Sequence, residues 1–257
     1  MNNLSEMKKR YKEEAKKFSY FLSPSKFASD RFISIWNMKE VEKENCVLEL
    51  GYPRNDFLYN YTENDIKDIK QKIGIANIEK KIILYAPTYR DNQHASGVGY
   101  TYKTEVDFDK LKQKLGQDYI ILFRAHWLVA NEFDFDKYKG FIFDVSNYDD
   151  INDLYVLADM LITDYSSVFF DYANLRKPIL FYMYDLEAYR DDIRGFYLDL
   201  KELPGPILKT EDEIIDNIKK FSSGVEFYNN TYKEFNQKFN YLDDGNAAKR
   251  VLETIIK

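Results

Sequence analysis

Apolar positions along this chain follow two alternating rhythms. From residue 80 onward, short and mostly apolar runs recur at 82–85, Tyr119–Phe123, 141–145, Met160–Thr163 and 178–182, each too short for a helix and each ended by polar or Pro-containing turns. Between them apolar residues return every three or four positions, which predicts helices over Phe108–Leu115, 149–158, 168–175 and 211–221. In 149–158, Ile151, Leu154, Tyr155 and Ala158 share one face. Apolar runs alternating with helices imply a parallel sheet covered on both sides. Upstream, the pattern predicts a charged helix within 1–17 and a second helix over 27–36 behind the turn Ser23-Pro24-Ser25. A strand at 47–50, the turn at 51–56 and a helix over 63–73 follow, and a helix over 246–256 closes the chain. The stretches 91–104 and 185–206 read as irregular, and there is no internal repeat.

The richest chemistry lies in residues 158–182, ADMLITDYSSVFFDYANLRKPILFY. Here a predicted strand passes through Asp164-Tyr165-Ser166-Ser167 into a helix. Free backbone N–H groups and the positive helix end converge at such a turn, which suits a phosphate. Asp171, four residues after Ser167, lies one turn along the same face, where a carboxylate can accept hydrogen bonds from ribose hydroxyls. The same residues also fit ordinary helix caps, worth about 1 kcal/mol each, with Asp171 as a solvated surface residue. Position adds weight to the first reading. Arg90, His126, Ser146 and Ser166 each follow the carboxyl end of a predicted strand, the edge where open α/β sheets bind ligands.

His126 fits a general base or a cation that steadies a phosphate, or else a core histidine bonded to backbone. Arg124 sits two residues earlier on the same strand face, and His94 falls in a polar loop. Arg90 is either a bidentate phosphate clamp or a partner of Asp91. Arg190 and Arg194 either reach the same crevice or pair with Asp191 and Asp192. Pro204-Gly205-Pro206 is a rigid turn that either contacts a base or serves only as a turn.

Composition narrows the classes. A chain of 257 residues with 17% aromatics can bury a sizeable core and is not disordered. A net charge of −6 argues against nucleic acid as the main partner, so an anionic ligand must be held locally. The single cysteine, Cys46, is expected to be a buried core thiol of a cytosolic protein. No run approaches a membrane span and the first residues are charged, so a soluble, cytoplasmic chain is expected. The lysines in 1–17 suit a solvated interdomain helix better than an anionic membrane surface. With 43 acidic residues, Asp107-Phe108-Asp109 and Asp134-Phe135-Asp136 are expected by chance, and neither follows a strand. No metal site is expected, and neither a phosphate-binding loop of the Walker type nor a GxGxxG or GxSxG motif is present.

The motifs also carry a resemblance. YAPTYRDN at 85–92, RAH at 124–126 and DVSNYDDINDLYVLADMLITDYSSVFFDYANLRKPILFY at 144–182 belong together with GYPRND at 51–56, RGFYLD at 194–199, PGPI at 204–207 and DDGNAAKRV at 243–251. As a set they resemble the CDP-glycerol glycerophosphotransferases, which include teichoic acid primases and polymerases. The resemblance implies a two-lobed glycosyltransferase-B architecture. This chain would supply its C-terminal lobe, a Rossmann-like parallel sheet with helices on both faces. Residues 1–22 would be an interlobe helix and linker and residues 23–257 the donor-binding domain, with an N-terminal acceptor lobe outside the chain.

It further implies transfer of glycerol phosphate from CDP-glycerol to a hydroxyl on a lipid-linked teichoic acid or capsule-type polymer, without a metal or cofactor. His126 would be one of two essential histidines, the other lying in an HGTP-like motif of the acceptor lobe. Ser166 and Ser167 would meet the pyrophosphate, with Thr88, Arg90, Arg124, Asp164 and Arg194 completing the donor site. Asp171 would grip the ribose, matching an acidic residue seven positions before Lys177-Pro178. The full-length enzyme would sit on the inner face of the cell membrane through regions outside this chain. Alone, the chain is expected to bind donor and transfer poorly. A CDP-ribitol or other nucleotide-activated transferase, or a catalytically silent nucleotide-binding fragment, are the alternatives.

Overall fold

A computed structural model describes residues 4–88, 94–95, 99–100, 106–125, 133–190 and 197–256. Their contacts divide the chain into two units, Met1–Asn60 with Glu234–Lys257, and Tyr61–Lys233.

The first unit begins with helix α1 (Leu4–Ala15), strand β1 (Phe21–Ser23), α2 (Lys26–Ile35), β2 (Val47–Glu49) and the single turn α3 (Phe57–Asn60). The expected interlobe segment 1–22 thus holds α1 and the start of β1, a strand too short to announce itself as a hydrophobic run. β1 and β2 pair in parallel, Phe21 opposite Val47. Ser25 caps α2 by accepting from the Ala28 N–H at 3.4 Å. Beside it the buried Ser29 hydroxyl donates to Glu49 Oε2 at 2.8 Å, and Tyr241 donates to Glu49 Oε1 at 2.5 Å. Cys46 is half-buried at the end of a 3-10 turn, not the core thiol expected, and burial raises its pKa.

Two motifs that stand far apart in sequence meet in this unit. The carboxylate of Asp56 accepts from the N–H groups of Ala247 and Ala248, both at 2.8 Å, and so caps the terminal helix Ala247–Ile255 from 191 positions away. Asn55 Nδ2 donates to the buried Asp243 at 2.8 Å. Gly51, at φ +84°, lies where a Cβ would stand 2.8 Å from the Leu242 carbonyl oxygen. GYPRND and DDGN are therefore two halves of one latch.

The second unit holds α4 (Glu63–Lys72), β3 (Lys81–Ala86), β4 (His94–Ala95), β5 (Gly99–Tyr100), α5 (Phe108–Leu115), β6 (Tyr119–Phe123), β7 (Ile142–Asp144), α6 (Ile151–Leu157) and β8 (Met160–Thr163). It continues through α7 (Val168–Tyr172), β9 (Ile179–Tyr182), α8 (Leu186–Ala188), β10 (Ile207–Leu208) and α9 (Glu211–Ser222). β4 and β5 pair antiparallel inside the stretch expected to be irregular. The other six strands form one parallel sheet in the order β10-β9-β8-β3-β6-β7. The expected α/β parallel sheet is borne out, with β10 added at an edge.

Alternation along the strands serves two cores. Ile83, Tyr85, Ile121, Phe123 and Ile162 pack with Phe108, Leu111 and Leu115 of α5 and Ile214, Ile215 and Ile218 of α9. The intervening Ile82, Leu84, Ile120, Leu122 and Leu161 are equally buried. On that side Phe169 meets Phe181 at 5.1 Å and Tyr155 meets Tyr172 at 5.7 Å. Each such aliphatic side chain contributes about 1.5–3 kcal/mol by leaving water. Local signals start the helices: Asp107 accepts from Lys110 N at 2.9 Å, while Thr62 with Asp65 and Thr210 with Glu213 form capping boxes.

Lys177 holds the junction between α6 and β8. Its ammonium donates to the carbonyls of Val156 and Ala158, both at 2.8 Å, and burial pulls its pKa down to about 8. The folded value lies below the unfolded one, so between about pH 8 and 10.5 the unfolded chain carries the extra proton. Stability owed to this residue therefore rises with pH through that window. Relative to Lys177→Met, the native chain is expected to gain about 2–3 kcal/mol on going from neutral pH to about pH 10. Urea unfolding of both proteins across that range measures it, and parallel pH profiles would contradict it.

Candidate functional site

The strand order creates a switch point. From β3 the chain moves outward to β6 and β7, then returns to the other side of β3 for β8, β9 and β10. Loops leaving β3 and β8 therefore diverge at their carboxyl ends, the place where open α/β sheets bind ligands. A cavity of about 420 Å³ opens there. Its walls are Ala86, Pro87 and Thr88 after β3, Arg124 and Ala125 after β6, Ile151 opening α6, Tyr165, Ser166, Ser167 and Val168 after β8, and Tyr189.

Asp164 sets the shape of this corner. It is 4% exposed, and its Oδ1 accepts from Thr88 N at 2.8 Å and from Tyr165 N at 2.6 Å. One carboxylate oxygen thus ties the loop after β3 to the loop after β8. The Thr163 hydroxyl adds a bond to the Ala86 carbonyl at 2.7 Å. Asp164 braces the corner from beneath and is not among the cavity-lining residues.

The two serines are placed for a ligand more than for capping. Ser167 occupies the N-cap position of α7, yet its hydroxyl makes no capping bond and is exposed. The Ser166 hydroxyl accepts from Val168 N only at 3.5 Å, the outer limit of a hydrogen bond. The helix they precede is shorter than expected: residues 168–175 split into the five-residue α7 and the 3-10 turn Ala173–Leu175. Its dipole is correspondingly small, so hydroxyls and turn amides carry any anion affinity here.

Arg124 lines the opposite wall. Its Nη1 donates to the carbonyls of Val145 at 3.0 Å and Tyr148 at 2.5 Å. Burial lowers its pKa, opposed by the fields of Tyr155, Asp150 and Asp149. Ser146, the other strand-end residue singled out by sequence, accepts from Ala125 N at 3.1 Å through its hydroxyl.

Thr88, Arg124, Ser166 and Ser167 are therefore brought together, with Asp164 beneath them. Asp171 is half-buried on α7 and does not line the cavity. Arg190 is exposed and does not line it either. Arg90, His126 and Arg194 lie outside the described residues. Pro204-Gly205-Pro206 packs at Ile179, the first residue of β9, and so at the amino edge of the sheet, away from this cavity.

Sequence reasoning missed the aromatic wall. The rings of Tyr165 and Tyr189 stack with centroids 3.6 Å apart and planes 11° apart, and the Tyr165 hydroxyl donates to Asp185 at 2.8 Å. Tyr165 stood inside the predicted turn, where only the hydroxyls and the carboxylate drew notice. Tyr189 lies in a stretch with no periodicity to flag it. Among the described residues, no group of three or more His, Cys, Asp or Glu is placed to hold a metal ion, and no helix is long and apolar enough to cross a membrane.

Comparison with known proteins gives one consistent answer. Residues 1–257 match the family CDP-Glycerol:Poly(glycerophosphate) glycerophosphotransferase. The chain is 42% identical over 257 residues to the teichoic acid poly(glycerol phosphate) polymerase of Bacillus subtilis (strain 168), spanning 99% of this chain and 34% of that protein. It is 40% identical over 251 residues to the teichoic acid glycerol-phosphate transferase of Staphylococcus aureus (strain NCTC 8325 / PS 47), spanning 96% of this chain and 62% of the relative. Its fold resembles that of a variant of the wall teichoic acid polymerase TagF soaked with CDPG, with a TM-score of 0.88 and 34% identity over 98% of this chain and 61% of the other. The chain thus spans between one third and just under two thirds of the relatives it matches.

Proposed function

We propose, since the chain belongs to the CDP-glycerol:poly(glycerophosphate) glycerophosphotransferase family, that its switch-point cavity binds the diphosphate of CDP-glycerol and that the polypeptide provides the donor-binding part of a teichoic acid glycerophosphotransferase. The observation that carries this reading is the position of the Ser166 and Ser167 hydroxyls, unspent on strong caps and facing a cavity at the carboxyl ends of β3 and β8. The TagF variant soaked with CDPG supports the donor's identity.

In this reading an acceptor hydroxyl attacks the β-phosphorus, to which glycerol is attached. The bond from that phosphorus to the bridging oxygen breaks, CMP leaves with the electron pair, and the hydroxyl proton passes to His126. Thr88, Ser166 and Ser167 bear on the diphosphate, with Arg90 and Arg194 supplying charge, and the ribose extends beyond the cavity wall to Asp171, one turn along α7 from Ser167. The step balances without a redox partner or a cofactor. The acceptor is a lipid-linked polyol phosphate, which places the working enzyme at the inner face of the membrane. The residues that line the cavity all fall in the Tyr61–Lys233 unit, inside the span 23–257 read as donor-binding.

Calorimetry with CDP-glycerol, CDP-ribitol, CDP, CMP and UDP tests the proposal. CDP-glycerol is expected to bind at least about tenfold more tightly than UDP, one tenfold step being 1.4 kcal/mol. The double variant Ser166→Ala/Ser167→Ala should weaken CDP more than CMP. Absence of any cytidine-nucleotide binding, or an equal loss for both, would refute it; tighter binding of CDP-ribitol would move the reading to the ribitol transferases.

A further inference from the structure

The family resemblance assigns Arg124 to the donor site, but its surroundings give it a task other than holding a phosphate. Residues 145–148 form a turn closed by a hydrogen bond from Tyr148 N to Val145 O at 3.1 Å. One guanidinium nitrogen, Nη1, reaches both the Val145 and the Tyr148 carbonyl at the ends of that turn. The next residue, Ala125, donates its N–H to Ser146 Oγ within the same turn at 3.1 Å, and Val145 N donates to Phe123 O at 2.9 Å. Four bonds therefore fasten 123–125 to 145–148. Asp150 follows at once as the N-cap of α6, accepting from Asn152 N at 2.9 Å, and Ile151 then forms a cavity wall. Asp149 and Asp150 stand close enough for their fields to favour the charged guanidinium, so its charge is partly balanced before any ligand arrives.

We infer that Arg124 is a positioning residue: its guanidinium holds the 145–148 turn, and through it the Ile151 wall, in the shape the donor needs, and it does not clamp a phosphate. The inference rests on the donor-site reading above for its ligand, but its structural half stands apart from it. A phosphate clamp loses affinity in proportion to the phosphates it touches, whereas a displaced wall weakens every ligand that fills the cavity alike.

The test uses the full chain with Arg124→Met, which keeps an apolar stem, and Arg124→Lys, which keeps one charged donor. CMP and CDP binding is measured by calorimetry, and amide hydrogen exchange is followed over 123–125 and 145–151. Arg124→Met is expected to weaken CMP and CDP by the same factor, about tenfold, the scale of one hydrogen bond to a charged group. It should also speed exchange in 145–151 while leaving β8 and β9 protected. Arg124→Lys should recover part of both effects, by equal factors for the two nucleotides. A loss several times larger for CDP than for CMP would overturn the inference, as would unchanged exchange in 145–151. Should wild-type protein bind neither nucleotide, the donor reading falls, and the exchange result alone decides whether Arg124 holds the turn.

Discussion

Asp164→Ala is expected to loosen the candidate site and the fold together. Its Oδ1 accepts two backbone N–H groups, from Thr88 at 2.8 Å and Tyr165 at 2.6 Å, that belong to loops after different strands. Alanine leaves both donors without that acceptor in a part-buried corner, at about 1–3 kcal/mol for each unsatisfied group, or about 3 kcal/mol together once water from the adjoining cavity relieves some of the loss. Thr88 would no longer be held against the serine turn, so affinity for CDP-glycerol should fall at least about tenfold. Asp164→Asn separates shape from charge, because its amide oxygen can accept both bonds. It should keep most of the stability. Urea unfolding and calorimetry on the two variants measure this, and an alanine variant as stable as the native chain would show that the brace is unimportant.

Gly205→Ala should have an effect of similar size at the other end of the sheet. A Cβ there would stand 2.0 Å from the carbonyl oxygen of Ile179, a backbone atom that cannot turn aside. Either β9 shifts or the Pro204-Gly205-Pro206 segment lifts away. The second loses the bonds from Phe181 N to Pro206 O at 3.0 Å and from Met183 N to Leu208 O at 2.8 Å, which fasten β10 to the sheet. Overpacking a close contact costs about 1–3 kcal/mol, and the rigidity of both partners places this case near 3 kcal/mol. The expected signature is a lower urea midpoint with nucleotide affinity nearly unchanged, since Gly205 sits at the amino edge. A strong loss of nucleotide binding at unchanged stability would return this loop to the ligand.

Much of the architecture was legible because strands buried on both faces write unbroken apolar runs and helices buried on one face write a three-to-four spacing. Tyr119–Phe123, Met160–Thr163 and Phe108–Leu115 fall where hydrophobic spacing predicts them. β1 and β10 were not, since three and two residues are too few to show a rhythm and their pairing comes from distant neighbours. The helix Asn230–Phe239 also escaped notice: Tyr232, Phe235 and Phe239 are buried at helical spacing, but the polar run around them masks the stripe. In the site, sequence identified the corner and its serines because chemistry-bearing residues stood at strand ends. It could not show that Arg124 bonds to carbonyls or that Tyr189 stacks on Tyr165, because those pairings are made by tertiary structure across 21 to 24 positions. Nor could it tell Asp164 the brace from Asp164 the ligand.

The latch between Asp56 and the terminal helix has a consequence for the order of assembly. On a ribosome, residues 61–233 emerge as an uninterrupted block whose sheet needs nothing from later sequence. The sixty residues before that block, although synthesised ahead of it, must wait: Asp56 and Asn55 meet their partners only after some 190 further residues have been made. Closing so long a span costs loop entropy that no contact within residues 1–60 can offset. The segment before residue 61 is therefore completed only once residues 243–248 have been made, later than the sheet that lies between them in sequence.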